Sequence, residues 1–274
     1  YCSTNSFGGS IKTLKIYRAL PLLWYDSAVM KYALLTDIHS NLEALTAVLE
    51  DIERRAVIEE LWVLGDIVGY GPDPGECIRL LRSRKHIAVA GNHDASCCGR
   101  INAMYVMNPE AATACRWTSK ALSPEDIEYL NGLPDVIERD DFTLVHGSPR
   151  DPLWEYVTSR SIAQINFDYF RTKYCLAGHS HVPMVFKLEE DGRCISLPFS
   201  ESVGLVLGKD MMIINPGGVG QPRDGDPRAS YAIYDSEAKV IRLRRVAYDI
   251  KLTQQKMIKQ NLPLRLISRL EKGL

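Results

Sequence analysis

Five short segments of this chain place oxygen- and nitrogen-bearing side chains directly after apolar runs or glycines: Asp37-Ile-His39, Gly65-Asp66, Gly91-Asn92-His93-Asp94, Val145-His146-Gly147 and Gly178-His179-Ser180-His181. Five of the six histidines fall within them, and only His86 is left over. A single histidine is more often structural than metal-binding, but five in one recurring context point to a shared task. Carboxylate, amide and imidazole groups together suit a pair of divalent transition ions. Two such ions acidify a water and neutralise phosphoryl oxygens. A carboxylate can bridge two ions where neutral ligands cannot, which makes Asp66, set among Gly65, Gly69 and Gly71, the candidate bridge. A further histidine can protonate a leaving alkoxide. The chemistry expected is hydrolysis of a phosphate ester or anhydride.

The elements that must position these groups follow from hydrophobic period. Tyr32 to Leu35 form a short apolar run ending in Asp37, which predicts a buried parallel strand delivering ligands at its carboxyl end. Leu42, Leu45, Val48, Leu49 and Ile52 then lie on one helical face, with Ser40 and Glu43 at capping-box spacing. Leu61 to Leu64 predict a second strand, Asp73-Pro74-Gly75-Glu76 a second helix start, and Ile87 to Ala90 a third strand. This alternation predicts βαβ units in a sheet covered by helices on both faces, with the strand ends converging at one edge. Asn108-Pro109 and Ser123-Pro124 start two further helices. Strands resume at Phe142 to Val145 and Tyr174 to Ala177. Residues 184 to 247 read as a second sheet packed on the first, and Ile250 to Leu270 as amphipathic surface helices. The expected class is α/β, with one domain over 30–274.

Bulk properties exclude several functions. With 33 basic and 34 acidic residues, no global charge marks a nucleic-acid or anionic-membrane binder, so anion binding must be local. No run approaches the roughly 20 apolar residues of a membrane span. Seven scattered cysteines resemble neither a disulfide framework nor zinc knuckles, and they suit a cytoplasmic setting. Residues 1–29 precede Met30-Lys31 and are expected to be an extension outside the functional fold.

Taken in order, the five motifs resemble the signature of the calcineurin-like metallophosphoesterases over residues 31 to about 235, and within them the diadenosine-tetraphosphatase-like or phosphodiesterase-like bacterial proteins. The resemblance implies a two-sheet β-sandwich flanked by helices. It implies one metal ion on Asp37, His39, Asp66 and His181 and a second on Asp66, Asn92, His146 and His179. His93 would contact phosphate and protonate the leaving group. Mn²⁺ is the first choice of metal, with Fe, Zn, Ni or Mg²⁺ as alternatives. Protein serine/threonine phosphatases of the family carry Gly-Asp-x-x-Asp-Arg-Gly, where this chain reads Gly65-Asp66-Ile67-Val68-Gly69-Tyr70-Gly71. The Asp that orients the catalytic histidine and the Arg that holds phosphate are therefore missing. The expected substrate is a small phosphodiester or dinucleoside polyphosphate. A monoester or phosphoprotein substrate, or a non-catalytic scaffold, are the alternatives. Asn92, His93, Tyr70, Arg150, Arg223 and Arg228 are the candidate substrate contacts, the arginines because they stand in turns near ligand motifs.

Overall fold

The computed structural model describes Tyr1 and residues 30–274; the expected extension at 1–29 lies outside the described residues apart from Tyr1. In chain order the strands are β1 (Lys31–Leu35), β2 (Glu60–Val63), β3 (His86–Ala88), β4 (Val136–Arg139), β5 (Phe142–Val145) and β6 (Tyr174–Leu176). They continue as β7 (Pro183–Leu188), β8 (Cys194–Leu197), β9 (Leu205–Val206), β10 (Met212–Pro216), β11 (Ala229–Asp235) and β12 (Val240–Val246). The helices are α1 (Leu42–Arg55), α2 (Pro74–Arg82), α3 (Asn92–Cys97), α4 (Ala103–Val106) and α5 (Pro109–Ala121). After them come α6 (Pro124–Asn131), α7 (Arg160–Asn166), α8 (Ile250–Lys259) and α9 (Leu264–Arg269).

Two mixed sheets of six strands result, ordered β3-β2-β1-β11-β12-β9 and β4-β5-β6-β10-β7-β8. In the first, β1, β2 and β3 are parallel, and β11 joins β1 antiparallel. In the second, β5, β6 and β10 are parallel. Side-chain alternation explains the layering. Along β1, Ala33 and Leu35 enter a core shared with α1 and α2, whereas Tyr32 and Leu34 enter the core between the sheets. The inter-sheet core is rich in aromatics, with the Trp62 ring 5.3 Å from Phe142 and 4.6 Å from Tyr32. A third core backs the second sheet with α7 residues and Phe167, Phe170 and Phe186. The architecture is the sandwich flanked by helices.

Four local expectations are corrected. The first sheet has helices on one face only, because the second sheet covers the other. The sheets are not divided in sequence: β5 and β6 belong to the second sheet and β11 and β12 to the first. Pairing partners distant in sequence decide this, and no local pattern encodes them. Asn41, not Ser40, caps α1 by accepting from Ala44 N at 3.1 Å, since Ser40 turns with a left-handed φ of 53°. At α2 the Asp73 carboxylate makes no cap bond and pairs instead with Lys256 Nζ at 2.9 Å. The two Asn-Pro and Ser-Pro starts behave as expected, Asn108 and Ser123 accepting from Ala111 N and Asp126 N.

Candidate metal centre

The carboxyl ends of β1, β2 and β5 and the loops after β3 and β6 meet at one edge of the sandwich. Backbone bonds fix the first two loops to each other, with Asp37 N to Gly65 O at 3.1 Å, His39 N to Asp66 O at 2.9 Å and Ser40 N to Ile67 O at 3.0 Å. The turns are tight enough that seven non-glycine residues here adopt left-handed φ: Asp37, His39, Ser40, Asp66, Tyr70, His179 and His181. Gly91 is a steric necessity, because a Cβ there would lie 2.0 Å from Asp66 Oδ1.

Four histidines share one arrangement. His39 Nδ1 lies 3.2 Å from Val68 O, His146 Nδ1 2.9 Å from Leu64 O, His181 Nδ1 2.5 Å from Gln221 O and His179 Nε2 3.2 Å from Trp154 O. Each such nitrogen carries the proton donated to its carbonyl, so the opposite nitrogen presents a lone pair, the orientation that metal-binding imidazoles adopt. Those lone pairs converge: His39 Nε2 lies 3.1 Å from His181 Nε2, and His146 Nε2 lies 3.0 Å from both His179 Nδ1 and Asn92 Oδ1. Lone pairs that face one another at such distances are favourable only around cations.

The carboxylates sit among them. Asp37 Oδ1 is buried, has no hydrogen-bond partner and lies 3.3 Å from His181 Nε2 and 3.8 Å from His39 Nε2. Its other oxygen accepts from Thr36 Oγ1 at 2.9 Å and His179 N at 3.1 Å. Asp66 Oδ1 accepts from His93 N at 2.9 Å, which aims Oδ2 between the two histidine sets, 3.5 Å from His39 Nε2 and 3.3 Å from His146 Nε2. Among the described residues, Asp37, His39 and His181 form one possible ion-holding group, Asp66, His146 and His179 another, and His39, Asp66 and His93 a third that overlaps the first two. An orphaned buried carboxylate oxygen and a converging donor set of this chemistry fit divalent ions well. Burial holds His39, His179 and His181 below the usual imidazole range and therefore neutral. Burial opposes the charged form of His146 too, but the Asp66 carboxylate overrides it and draws that group up to about 9. A cation at Asp66 therefore competes with a proton for His146.

The sequence candidates are thus brought together for all seven ligand positions and for His93. The His93 ring lies 4.2 Å from Tyr70 and 4.8 Å edge-on from His39. The arginines separate. Arg150 pairs with Glu155, and Arg228 with Asp226 at 2.7 Å and Glu201 at 3.1 Å, so both charges are already engaged. Arg223 pairs with no carboxylate among the described residues; its guanidinium lies 5.9 Å from the Tyr70 ring and donates to Gln221 at 3.0 Å. Sequence reasoning missed Tyr156, stacked 3.8 Å from His179, and gave no role to Asp94 of the third motif, whose carboxylate accepts from Val68 N and Gly91 N at 3.0 Å and so joins the second and third ligand loops. It also missed Arg269, which burial and then neighbouring Arg223 push down to about 10. The expected surface helices α8 and α9 in fact pack Met257, Leu266, Ile267 and Leu270 against Tyr70. His86 is engaged elsewhere, with Tyr129 Oη at 2.8 Å.

Known proteins resemble this chain in sequence and in fold. The model of the calcineurin-like phosphoesterase superfamily domain matches residues 30–239. An uncharacterised protein of Methanocaldococcus jannaschii is 40% identical over 237 residues, covering 84% of this chain and 93% of that protein. A crystal structure of a metallophosphoesterase from Sphaerobacter thermophilus is 43% identical with a TM-score of 0.79, covering 90% of this chain and all of the other. A symmetrical bis(5'-nucleosyl)-tetraphosphatase of Vibrio campbellii is 29% identical over 130 residues, about half of each chain.

Proposed function

The chain belongs to the calcineurin-like phosphoesterase superfamily and is a metal-dependent phosphoester hydrolase, and on that premise we propose that it cleaves a small phosphodiester or a dinucleoside polyphosphate. In this proposal Asp37, His39, Asp66 and His181 hold one divalent ion and Asp66, Asn92, His146 and His179 a second, with Mn²⁺ the preferred metal. Bound there, the ions supply Lewis-acid charge to the phosphoryl oxygens and acidify a water at neutral pH. The chain's residues do the rest. Asp66, with Oδ2 between the two histidine sets, would contribute to both sites, and the carbonyl-anchored imidazoles keep their lone pairs aimed inward without needing to reorganise. His93 delivers a proton to the departing oxygen. Arg223 meets substrate anions, and the exposed Tyr156 offers a ring face to a base or aryl group, a role that Tyr70, buried under α8 and α9, does not have room for.

The observation that carries the reading is the set of four histidines, each turning one nitrogen to a backbone carbonyl and the other toward two buried carboxylates. Support for a substrate anion held beside the metal sites comes from Arg223, whose guanidinium has no carboxylate partner among the described residues. Gly69 and Tyr70 stand where the protein phosphatases carry their Asp and Arg, which disfavours a phosphoprotein substrate. The scattered cysteines favour a cytoplasmic setting.

The test is hydrolysis of bis-p-nitrophenyl phosphate beside p-nitrophenyl phosphate, with Mn²⁺ or with chelator, and with His93→Ala as control. Chelator-sensitive turnover favouring the diester is expected. Preference for the monoester redirects the search to phosphorylated metabolites, and no turnover despite bound metal favours a scaffold.

A further inference from the structure

The proton donor of the proposed reaction lacks the neighbour that the protein-phosphatase pattern would give it, since Gly69 occupies that position. Around Gly69 the structure leaves no room for a substitute. A Cβ there would lie 2.5 Å from His93 Nδ1 and 3.0 Å from its Cβ and Cγ, and the residue has a φ of 87°. The His93 ring has taken the space that a side chain at 69 would need.

Its Nδ1 instead meets Cys115 Sγ at 3.3 Å. Cys115 stands midway along α5, 1% exposed, and its sulfur also lies 3.6 Å from Met107 Sδ. Cys97, on α3, is buried as well. Tyr70 on one face of the ring and His39 at its edge fix the ring's tilt. Those contacts do not choose which ring nitrogen faces which way; the partner at Nδ1 does. With Nδ1 engaged by sulfur, Nε2 becomes the nitrogen that faces a leaving group, and among the described residues no hydrogen bond engages it.

We propose that Cys115 is the positioning residue of His93: a thiol reaching across from α5 to hold the imidazole in the orientation that a carboxylate beside the bridging Asp secures in the protein phosphatases. The inference rests on the assignment of His93 as proton donor in the proposed function. Cys115 contacts neither substrate nor metal ligand in this arrangement. Its effect is confined to how well His93 delivers its proton, so it appears only where the leaving oxygen needs one.

The experiment compares Cys115→Ala, Cys115→Ser and the unmodified chain on aryl phosphodiesters whose leaving phenols run from p-nitrophenol to phenol, with metal content measured alongside. For Cys115→Ala we expect kcat to fall roughly 10- to 100-fold on the phenyl diester, with a much smaller fall on the nitrophenyl diester, unchanged KM and unchanged metal content. Cys115→Ser, which retains a hydrogen-bonding group, restores most of the loss. Cys115→Val keeps the buried volume without the hydrogen bond and carries the same test if alanine loosens the helix. Equal losses across the leaving groups, loss of metal, or no loss overturn the proposal. Nitrogen-15 spectra of the imidazoles, recorded with diamagnetic Mg²⁺ and assigned by the signals missing in His93→Ala, give a second readout. The His93 Nδ1 signal should shift in Cys115→Ala and return in Cys115→Ser; an unmoved signal overturns the pairing. If the unmodified chain cleaves no diester, the proposed function fails on its own, and the spectra still decide whether Cys115 holds His93.

Discussion

The two sheets bring unlike chemistry to the edge they share. The loops after β1, β2 and β3 carry Asp37, Asp66 and Asn92, all the oxygen donors of the centre, whereas those after β5 and β6 carry only His146, His179 and His181. The carboxylates therefore sit on one sheet with His39 beside them, the other sheet adds imidazoles alone, and ions held between them would connect the layers as well as the reactants. The sheets also touch here through His179 N to Asp37 Oδ2 at 3.1 Å and His146 Nδ1 to Leu64 O at 2.9 Å. At the last strands of the two sheets, β9 and β8, Leu205 and Leu197 meet only through the shared apolar core, and among the described residues no hydrogen bond joins the two strands. The contrast teaches that the centre is a joint in the fold and not an ornament on it.

The comparison breaks most sharply at its bridge. Asp66→Asn removes the charge that both ions share, so metal analysis should find both lost and diester turnover down by about 1,000-fold or more. His146→Ala strips one neutral ligand from the other sheet and should lose one ion and keep the other. Equal stoichiometric loss in the two variants would show that the sheets do not divide the labour as described. A smaller effect concerns stability. If ions tie the layers, chelation withdraws about 2.7 kcal/mol for metal at 100 times its Kd, which at ~2–4 °C per kcal/mol lowers Tm by roughly 5–10 °C in a scanning melt. An unchanged Tm would mean that the layers hold without them. Smallest is the distinction among arginines. Arg223→Ala should raise the diester KM by about 10-fold, while Arg150→Ala and Arg228→Ala, whose charges are already paired, should stay within about 2-fold. A reversal would relocate the anion contact.

The centre was legible in the sequence because each ligand follows a short apolar strand, so periodicity and residue type marked the same places. Sheet membership was not. Whether β5 extends the first sheet or opens a second depends on pairing with β6 and β4, and an apolar run looks the same in either. Asn41 and Ser40 differ by one position and are equally good caps, and only the left-handed turn at Ser40 decides between them. Cys115 shows the other limit: on a helix its spacing reads as packing, and its partner lies 22 residues away. The signal that could have found it was the Gly at position 69, an absence that asked who else holds His93. Tyr156 and Arg269 reach the centre from loops and helices with no motif of their own.

Seven ligand or near-ligand residues hold left-handed backbone conformations that side chains with a Cβ adopt at a cost of about 1–3 kcal/mol each. The rest of the sandwich must carry that burden for the site to exist at all. Selection for heat resistance alone would therefore find its easiest gains at these positions, replacing them with glycine or asparagine. With chelator present, where ions add nothing to Tm, the proteins it recovered would melt later than the chelated parent, and those that had exchanged Asp37, His39, Asp66, His179 or His181 would have lost affinity for metal.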